Sequence, residues 1–143
     1  MDNEIIETAL AFIGIENTQK DIAEFYDREF IPIKDLAESI GIIIAEDLDE
    51  HYVQEVNGKV YLSPGMEITS EFDAALSVGA FLLYESTPVE LNSEQHRKVS
   101  LFAITTIIPG LKSHISEEPT IRELIEFSRT TKVPFNALKL ALM

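Results

Sequence analysis

The stretch Tyr52-Val-Gln-Glu-Val-Asn-Gly-Lys-Val-Tyr-Leu-Ser63 carries the clearest local structural signal in the chain. Two runs rich in β-branched and aromatic residues, which favour strands, flank the pair Asn57-Gly58. This pair favours a two-residue type I′ turn, because both positions of such a turn require positive φ angles. The sequence therefore predicts a β-hairpin, and Ser63-Pro-Gly65 is expected to end the sheet.

The register of this hairpin decides which side chains share a face. Val53 is expected opposite Leu62, and Glu55 opposite Val60. One face is then mostly apolar, and we expect it to lie on a layer of helices. Upstream, the β-branched run Ile42-Ile-Ile-Ala45 predicts a short buried strand. These segments together predict a small antiparallel sheet.

Three helices are predicted on the N-terminal side of the sheet, from apolar residues at helical spacing. The first ends at Gly14, and the second opens at the capping box Thr18-Gln-Lys-Asp21 and runs through Phe25. The third ends at Gly41. It is expected to turn three apolar side chains inward: Leu36, Ala37 and Ile40.

Further helices are predicted after the sheet. The segment Phe72–Tyr84 is apolar almost all round, which is typical of a central buried helix. A second helical stretch runs from Leu91 to Ile108, and the capping box Thr120-Ile-Arg-Glu123 opens a third. A last helix begins at Pro134. The third is expected to direct these side chains inward: Ile121, Leu124 and Ile125.

The order of helices, a small sheet and then more helices predicts an α+β fold, with the sheet packed on the central helix. The chain has 143 residues, the length of a single domain. We expect residues 1–30 to form a helical extension and residues 31–143 to form the core of that domain.

The chain is strongly acidic, with 11 Lys or Arg against 25 Asp or Glu and a net charge of −14. Such a charge repels phosphate backbones and anionic lipids, so direct binding to nucleic acid or to a membrane is not expected. A negative charge of this size is compatible with high solubility, with binding to a basic protein partner, or with mimicry of the charge of DNA. The absence of cysteine and the acidic start Met1-Asp-Asn-Glu4 are compatible with a cytoplasmic protein.

The order of these elements resembles the ImmA/IrrE family of zinc metallopeptidases over roughly residues 30 to 143. Five segments carry the resemblance: Ile31–Ile42, Lys59–Ser63, Phe72–Leu83, His96–Pro109 and Val133–Leu142. It implies a zincin-like fold. In that family two histidines, four positions apart on one helix, hold zinc, and a glutamate between them activates the metal-bound water.

This sequence departs from the family at each of those positions. The two histidine positions of the resemblance fall on Leu76 and Ala80, and the glutamate position falls on Ser77. The third ligand position, a glutamate in the family, falls on His96. Leucine and alanine cannot coordinate zinc, and the chain contains no other catalytic motif that we recognise. We therefore predict a pseudo-metallopeptidase with no catalytic residue, no bound metal and no cofactor.

The resemblance implies a prophage or stress setting, because members of this kind cleave helix-turn-helix repressors. A non-catalytic relative is expected to hold such a repressor, or another basic DNA-binding regulator, in the former substrate groove. The edge of the hairpin at Lys59–Ser63 is predicted to be available for strand addition. The predicted binding residues are Leu76, Ser77, Ala80, His96 and Tyr61.

Several alternatives remain open at this point. Leu76 and Ala80 would also fit as core residues that fill the vacated metal cavity. The chain could instead be a charge-mimicking inhibitor of a DNA-binding protein, acting through Glu46, Asp47, Asp49 and Glu50. A third possibility is an active metallopeptidase with relocated ligands, for example an ion shared by His96 and Glu94. The other two histidines are expected to be solvated: His51 and His114.

Overall fold

The computed structural model describes residues 2–14, 31–45 and 50–143. It confirms the α+β class, with helices and a small three-stranded sheet. The predicted helix at Thr18–Phe25 lies outside the described residues. The elements in chain order are α1 Asn3–Ile13, α2 Ile33–Ser39, β1 Ile42–Ile44, β2 His51–Val56, β3 Lys59–Pro64, α3 Glu71–Tyr84, a 3-10 turn Pro88–Glu90, α4 Ser93–Ile107, α5 Leu111–His114, α6 Ile121–Thr131 and α7 Phe135–Leu142.

The chain divides into two compact units. Residues 31–99 form one of them, which we call the sheet unit. The described residues before position 15 group with residues 100–143, and we call this the helical unit. The single domain predicted for residues 1–143, with its extension 1–30, stays a prediction.

The predicted hairpin is present in the sheet unit. Val53 pairs with Leu62 and Glu55 with Val60, as the sequence predicted. Asn57 has φ 53° and Gly58 has φ 80°. These positive angles are the ones that a type I′ turn demands, so the local turn chemistry alone sets the register of β2 and β3.

The prediction of a purely antiparallel sheet was wrong. The strand order is β1-β3-β2, and β1 runs parallel to β3, with Ile42 beside Val60 and Ile44 beside Leu62. The turn at Asn57 determines only the direction of β2 relative to β3. The direction of β1 depends on the packing of α2, which precedes it directly and contacts it.

The middle strand is therefore β3, and the expectation that Lys59–Ser63 forms an edge was also wrong. Val60 donates its backbone N–H to the carbonyl of Gly41, and the carbonyl of Leu62 accepts from the N–H of Ala45. β3 is thus hydrogen-bonded on both sides, and the edges of the sheet are β1 and β2.

Helix α3 is the buried helix of the sheet unit, as its apolar sequence predicted. It contacts α2, β1 and β3, and its residues Ala74–Ala80 are all buried. Ser70 caps its first turn by accepting the N–H of Asp73. The Glu71 carboxylate also accepts the N–H of Ile33 at 2.7 Å, which satisfies the start of α2 where Pro32 offers no side-chain cap.

The helical unit has its own apolar core. The rings of Phe12 and Phe102 lie 6.0 Å apart, and α6 contacts α7. Thr120 caps α6 by accepting the N–H of Glu123, as the capping box predicted. The fully buried side chains of the unit include Phe102, Ile104, Leu124 and Leu138.

Three side chains that were expected to face inward are exposed. Ile40 is 53% exposed, Ile121 is 50% exposed and Ile125 is 40% exposed, whereas Leu124 is completely buried. A spacing of three or four residues identifies an apolar stripe on a helix, but the neighbours that cover the stripe determine its width. No helix within the described ranges is long and apolar enough to cross a membrane.

Candidate functional site

Three of the five predicted binding residues lie on the buried part of α3. Leu76 is 6% exposed, and Ser77 and Ala80 are completely buried. The Ser77 hydroxyl donates to the backbone carbonyl of Asp73 at 3.1 Å, one turn earlier in the helix. These side chains therefore belong to the core of the structure and do not form an open groove.

This arrangement has a direct chemical consequence. Leu76 and Ala80 have no donor atom for a metal, and the Ser77 hydroxyl is weakly basic and already engaged with the backbone. The three positions that the resemblance assigns to a metal centre thus contribute packing. Their neighbours on the same helix, Ala74, Ala75, Val78 and Gly79, are buried as well.

His96 lies in the first turn of α4, where its N–H donates to the carbonyl of Asn92. Its side chain is half-buried, and its Nδ1 is buried with no hydrogen-bond partner in the described part of the protein. A reciprocal pair of hydrogen bonds between Asn92 and Gln95 holds this helix start in place. No side-chain hydrogen bond or ion pair in the described residues links His96 to α3 or to Tyr61.

The carboxylate nearest to His96 in sequence interacts with a different side chain. Glu94 accepts hydrogen bonds from the Arg97 guanidinium, with the Nε donor at 3.2 Å. This hydrogen bonding, with the positive charges of Arg97 and Lys98, lowers the pKa of Glu94 from its usual value. Among the described residues, no group of three or more His, Asp or Glu side chains could hold a metal ion.

The other two histidines have carboxylates near them. His51 is exposed, and its Nε2 lies 2.9 Å from Glu90 Oε1. His114 lines a pocket of about 250 Å³ in the helical unit. This pocket was not predicted from the sequence, although the spacing of its residues along α6 was a usable signal. Its remaining lining residues are Glu123, Glu126, Phe127, Thr130 and Thr131.

Tyr61 lies on the middle strand β3 and is half-buried. In the register of the sheet it stands between Ile43 of β1 and Gln54 of β2. Because side chains alternate along a strand, Tyr52 and Val56 share this face of the sheet with it. The five predicted binding residues therefore lie in three separate places. Leu76, Ser77 and Ala80 are buried on α3, His96 lies at the start of α4, and Tyr61 lies on a face of the sheet.

The acidic charge is distributed unevenly along the chain. Residues 31–99 contain 13 Asp or Glu and 4 Lys or Arg, whereas residues 100–143 contain 4 and 5. Of the acids predicted to mimic DNA, Glu46, Asp47 and Asp49 lie outside the described residues, and Glu50 is exposed. The sheet unit therefore carries a strong negative charge, and the C-terminal helices are nearly neutral.

The fold and these positions define an α+β protein in which Leu76, Ser77 and Ala80 are packed side chains. A scan against protein-family models, a search of curated proteins and a search of solved structures each found no match to this chain.

Proposed function

We propose that the chain is a non-catalytic regulatory protein that binds another protein, on a zincin-like scaffold similar to that of the ImmA/IrrE metallopeptidases. The observation that carries the proposal is the burial of Leu76 and Ala80. At these two positions an active relative needs histidines that reach a metal and a substrate. Binding a protein does not require the metal, which supplies transition-state stabilisation for hydrolysis.

The partner that best fits the acidic sheet unit is a basic protein, such as a helix-turn-helix repressor or another DNA-binding regulator. The sheet unit supports this choice because its acidic residues outnumber its basic ones by 13 to 4. Oppositely charged surfaces speed association and select among partners. Nucleic acid would be repelled by the same charges.

The test is capture of partners by the tagged full chain from its native host at about 0.05 M and about 0.15 M salt, followed by mass spectrometry. The captured protein is then purified and incubated with the chain, with and without added zinc. We expect one stoichiometric partner at both salt concentrations, and we expect it to remain intact. Cleavage of the partner, or capture of no protein at either salt concentration, would overturn the proposal.

A second candidate function is inhibition of a DNA-binding protein by charge mimicry, which the excess of 13 acids over 4 basic residues in residues 31–99 favours. The variant Glu50→Gln/Glu55→Gln removes two exposed charges from the sheet unit. Its matched control, Glu117→Gln/Glu118→Gln, removes two exposed charges from the helical unit. Charge mimicry predicts that only the first variant loses the partner, and that salt releases the partner steeply.

A further inference from the structure

Strand β2 is an edge of the sheet, and the direction of its backbone groups follows from its neighbours. The backbone N–H of Val60 and the backbone C=O of Leu62 form hydrogen bonds on the side of β3 that faces β1. Because these groups alternate along a strand, those of Lys59, Tyr61 and Ser63 point toward β2. Their partners on β2 are Val56, Gln54 and Tyr52.

The remaining residues of β2 therefore direct their N–H and C=O groups away from the sheet. These residues are His51, Val53 and Glu55. No hydrogen bond in the described part of the chain occupies these outward backbone groups. A row of outward-facing N–H and C=O groups is a template for one more strand, because an added strand would satisfy every outward donor and acceptor.

Several of the usual protections of an edge strand are missing from β2. It pairs with β3 over six consecutive residues without a bulge, and it contains neither proline nor lysine. The other edge, β1, is only three residues long. The exposed face of β2 also offers apolar contact, since Val56 is 47% exposed and Tyr52 is half-buried.

The acidic residues on β2 and directly before it in sequence favour an added strand that carries positive charge. Glu55 is exposed on the strand itself, and the segment Glu46-Asp-Leu-Asp-Glu50 precedes it directly in sequence. A second copy of this chain would bring the 13 acids of its own sheet unit toward these residues, which costs free energy. A segment that carries Lys or Arg opposite Glu55 gains a charge pair instead.

We propose that β2 binds an extended basic segment of the partner protein as a fourth strand of the sheet. The segment hydrogen-bonds to His51, Val53 and Glu55, carries a basic side chain opposite Glu55, and places apolar side chains beside Tyr52 and Val56. This inference rests on the proposed function, because it identifies the surface and the kind of segment through which that partner is held.

The test uses the isotope-labelled full chain and a short acetylated, amidated peptide that alternates lysine with valine, followed by amide NMR spectra and hydrogen exchange. We expect the largest shifts and new exchange protection at the amides of His51, Val53 and Glu55. A glutamate–valine peptide of equal length should bind at least about tenfold more weakly, because it repels Glu55.

Two further peptides separate strand addition from charge attraction. Both are lysine–valine peptides of the same charge. One carries methyl groups on the backbone nitrogens of its valines, and the other carries them on those of its lysines. Each peptide therefore lacks every second backbone N–H donor. In an added strand only one of these two sets of donors faces β2. We expect one methylated peptide to bind and the other to lose at least about tenfold in affinity. Equal affinities would overturn strand addition.

Variants of the chain complete the test. Val53→Pro removes an outward N–H and leaves the hydrogen bonds to β3 in place, which an edge strand tolerates. Glu55→Lys keeps every donor and reverses one charge. We expect Val53→Pro to lose the peptide and Glu55→Lys to lose most of its preference for the lysine–valine peptide over the glutamate–valine peptide. Binding unaffected by both variants would overturn the proposal, as would a dimer of the wild-type chain that Val53→Pro dissociates.

The same variants distinguish this inference from the proposed function. If the wild-type chain captures its partner and Val53→Pro captures it equally well, strand addition is wrong and the proposed function stands. If the wild-type chain captures no partner, the proposed function fails, whatever the peptides do.

Discussion

At the scale of single residues, Gly65 is a glycine whose surroundings leave no room for a side chain. Its φ is +72°, in the left-handed region that glycine tolerates and other residues resist. A Cβ placed there would lie 2.7 Å from the Cβ of His51 and 3.0 Å from a methyl group of Val89. Gly65 therefore lets the chain leave β3 directly against the start of the edge strand β2.

We predict that Gly65→Ala lowers the free energy of unfolding by about 2–4 kcal/mol, because strain at positive φ adds to the steric clash. The matched control is Gly58→Ala in the hairpin turn. It has φ +80° and no atom within 4 Å of its added Cβ, so it should cost only about 1–2 kcal/mol. Urea unfolding measures both, and equal losses would show that His51 and Val89 move aside freely.

At the scale of secondary-structure elements, α6 shows how a periodic pattern can mislead about burial. Its apolar positions Ile121, Leu124 and Ile125 follow helical spacing, and its capping box is correct. Of these three side chains only Leu124 is buried, although α7 contacts the helix. Ile121 and Ile125 lie one turn apart on the exposed side.

We predict that Leu124→Ala lowers the free energy of unfolding by about 2–5 kcal/mol, since it leaves a cavity in the core. Ile125→Ala, the adjacent substitution, should change it by less than about 1 kcal/mol because Ile125 is already 40% exposed. Chemical denaturation of the two variants under one set of conditions makes the comparison. A large loss in Ile125→Ala would mean that this side of α6 is covered.

At the scale of the whole molecule, the net charge of −14 is the dominant electrostatic feature. Like charges at this density repel one another in the folded state and favour expansion of the chain. The ion pairs found among the described residues are exposed, such as Arg122 with Glu126, and exposed pairs stabilise little. Dissolved salt is therefore expected to relieve repulsion more than it weakens attractive pairs.

We predict that the free energy of unfolding rises as ionic strength increases from about 0.01 M to about 0.15 M, where the screening length falls from about 30 Å to about 8 Å. The control is Glu50→Gln/Glu55→Gln, which carries two fewer negative charges and should show a smaller rise. Thermal unfolding at several salt concentrations measures this. A stability that falls with salt would show that attractive ion pairs outweigh the net repulsion.

The sequence was sufficient wherever the controlling interactions are local. The turn at Asn57-Gly58, the register of its hairpin and the cap at Thr120 all depend on residues within a few positions of one another, and all were predicted correctly. The apolar character of α3 also indicated its burial. The substitution of Leu76 and Ala80 for metal ligands could be proposed from the resemblance alone, and it stays a prediction.

Other features depended on contacts between distant parts of the chain. The parallel pairing of β1 with β3 moved the sheet edge from Lys59–Ser63 to His51–Val56, and no pattern within either strand could reveal this. The burial of Ser77 and the exposure of Ile125 likewise depend on which elements pack against each helix face. Tertiary packing sets strand order and coverage because both are determined by residues far apart in sequence, which local propensity does not encode.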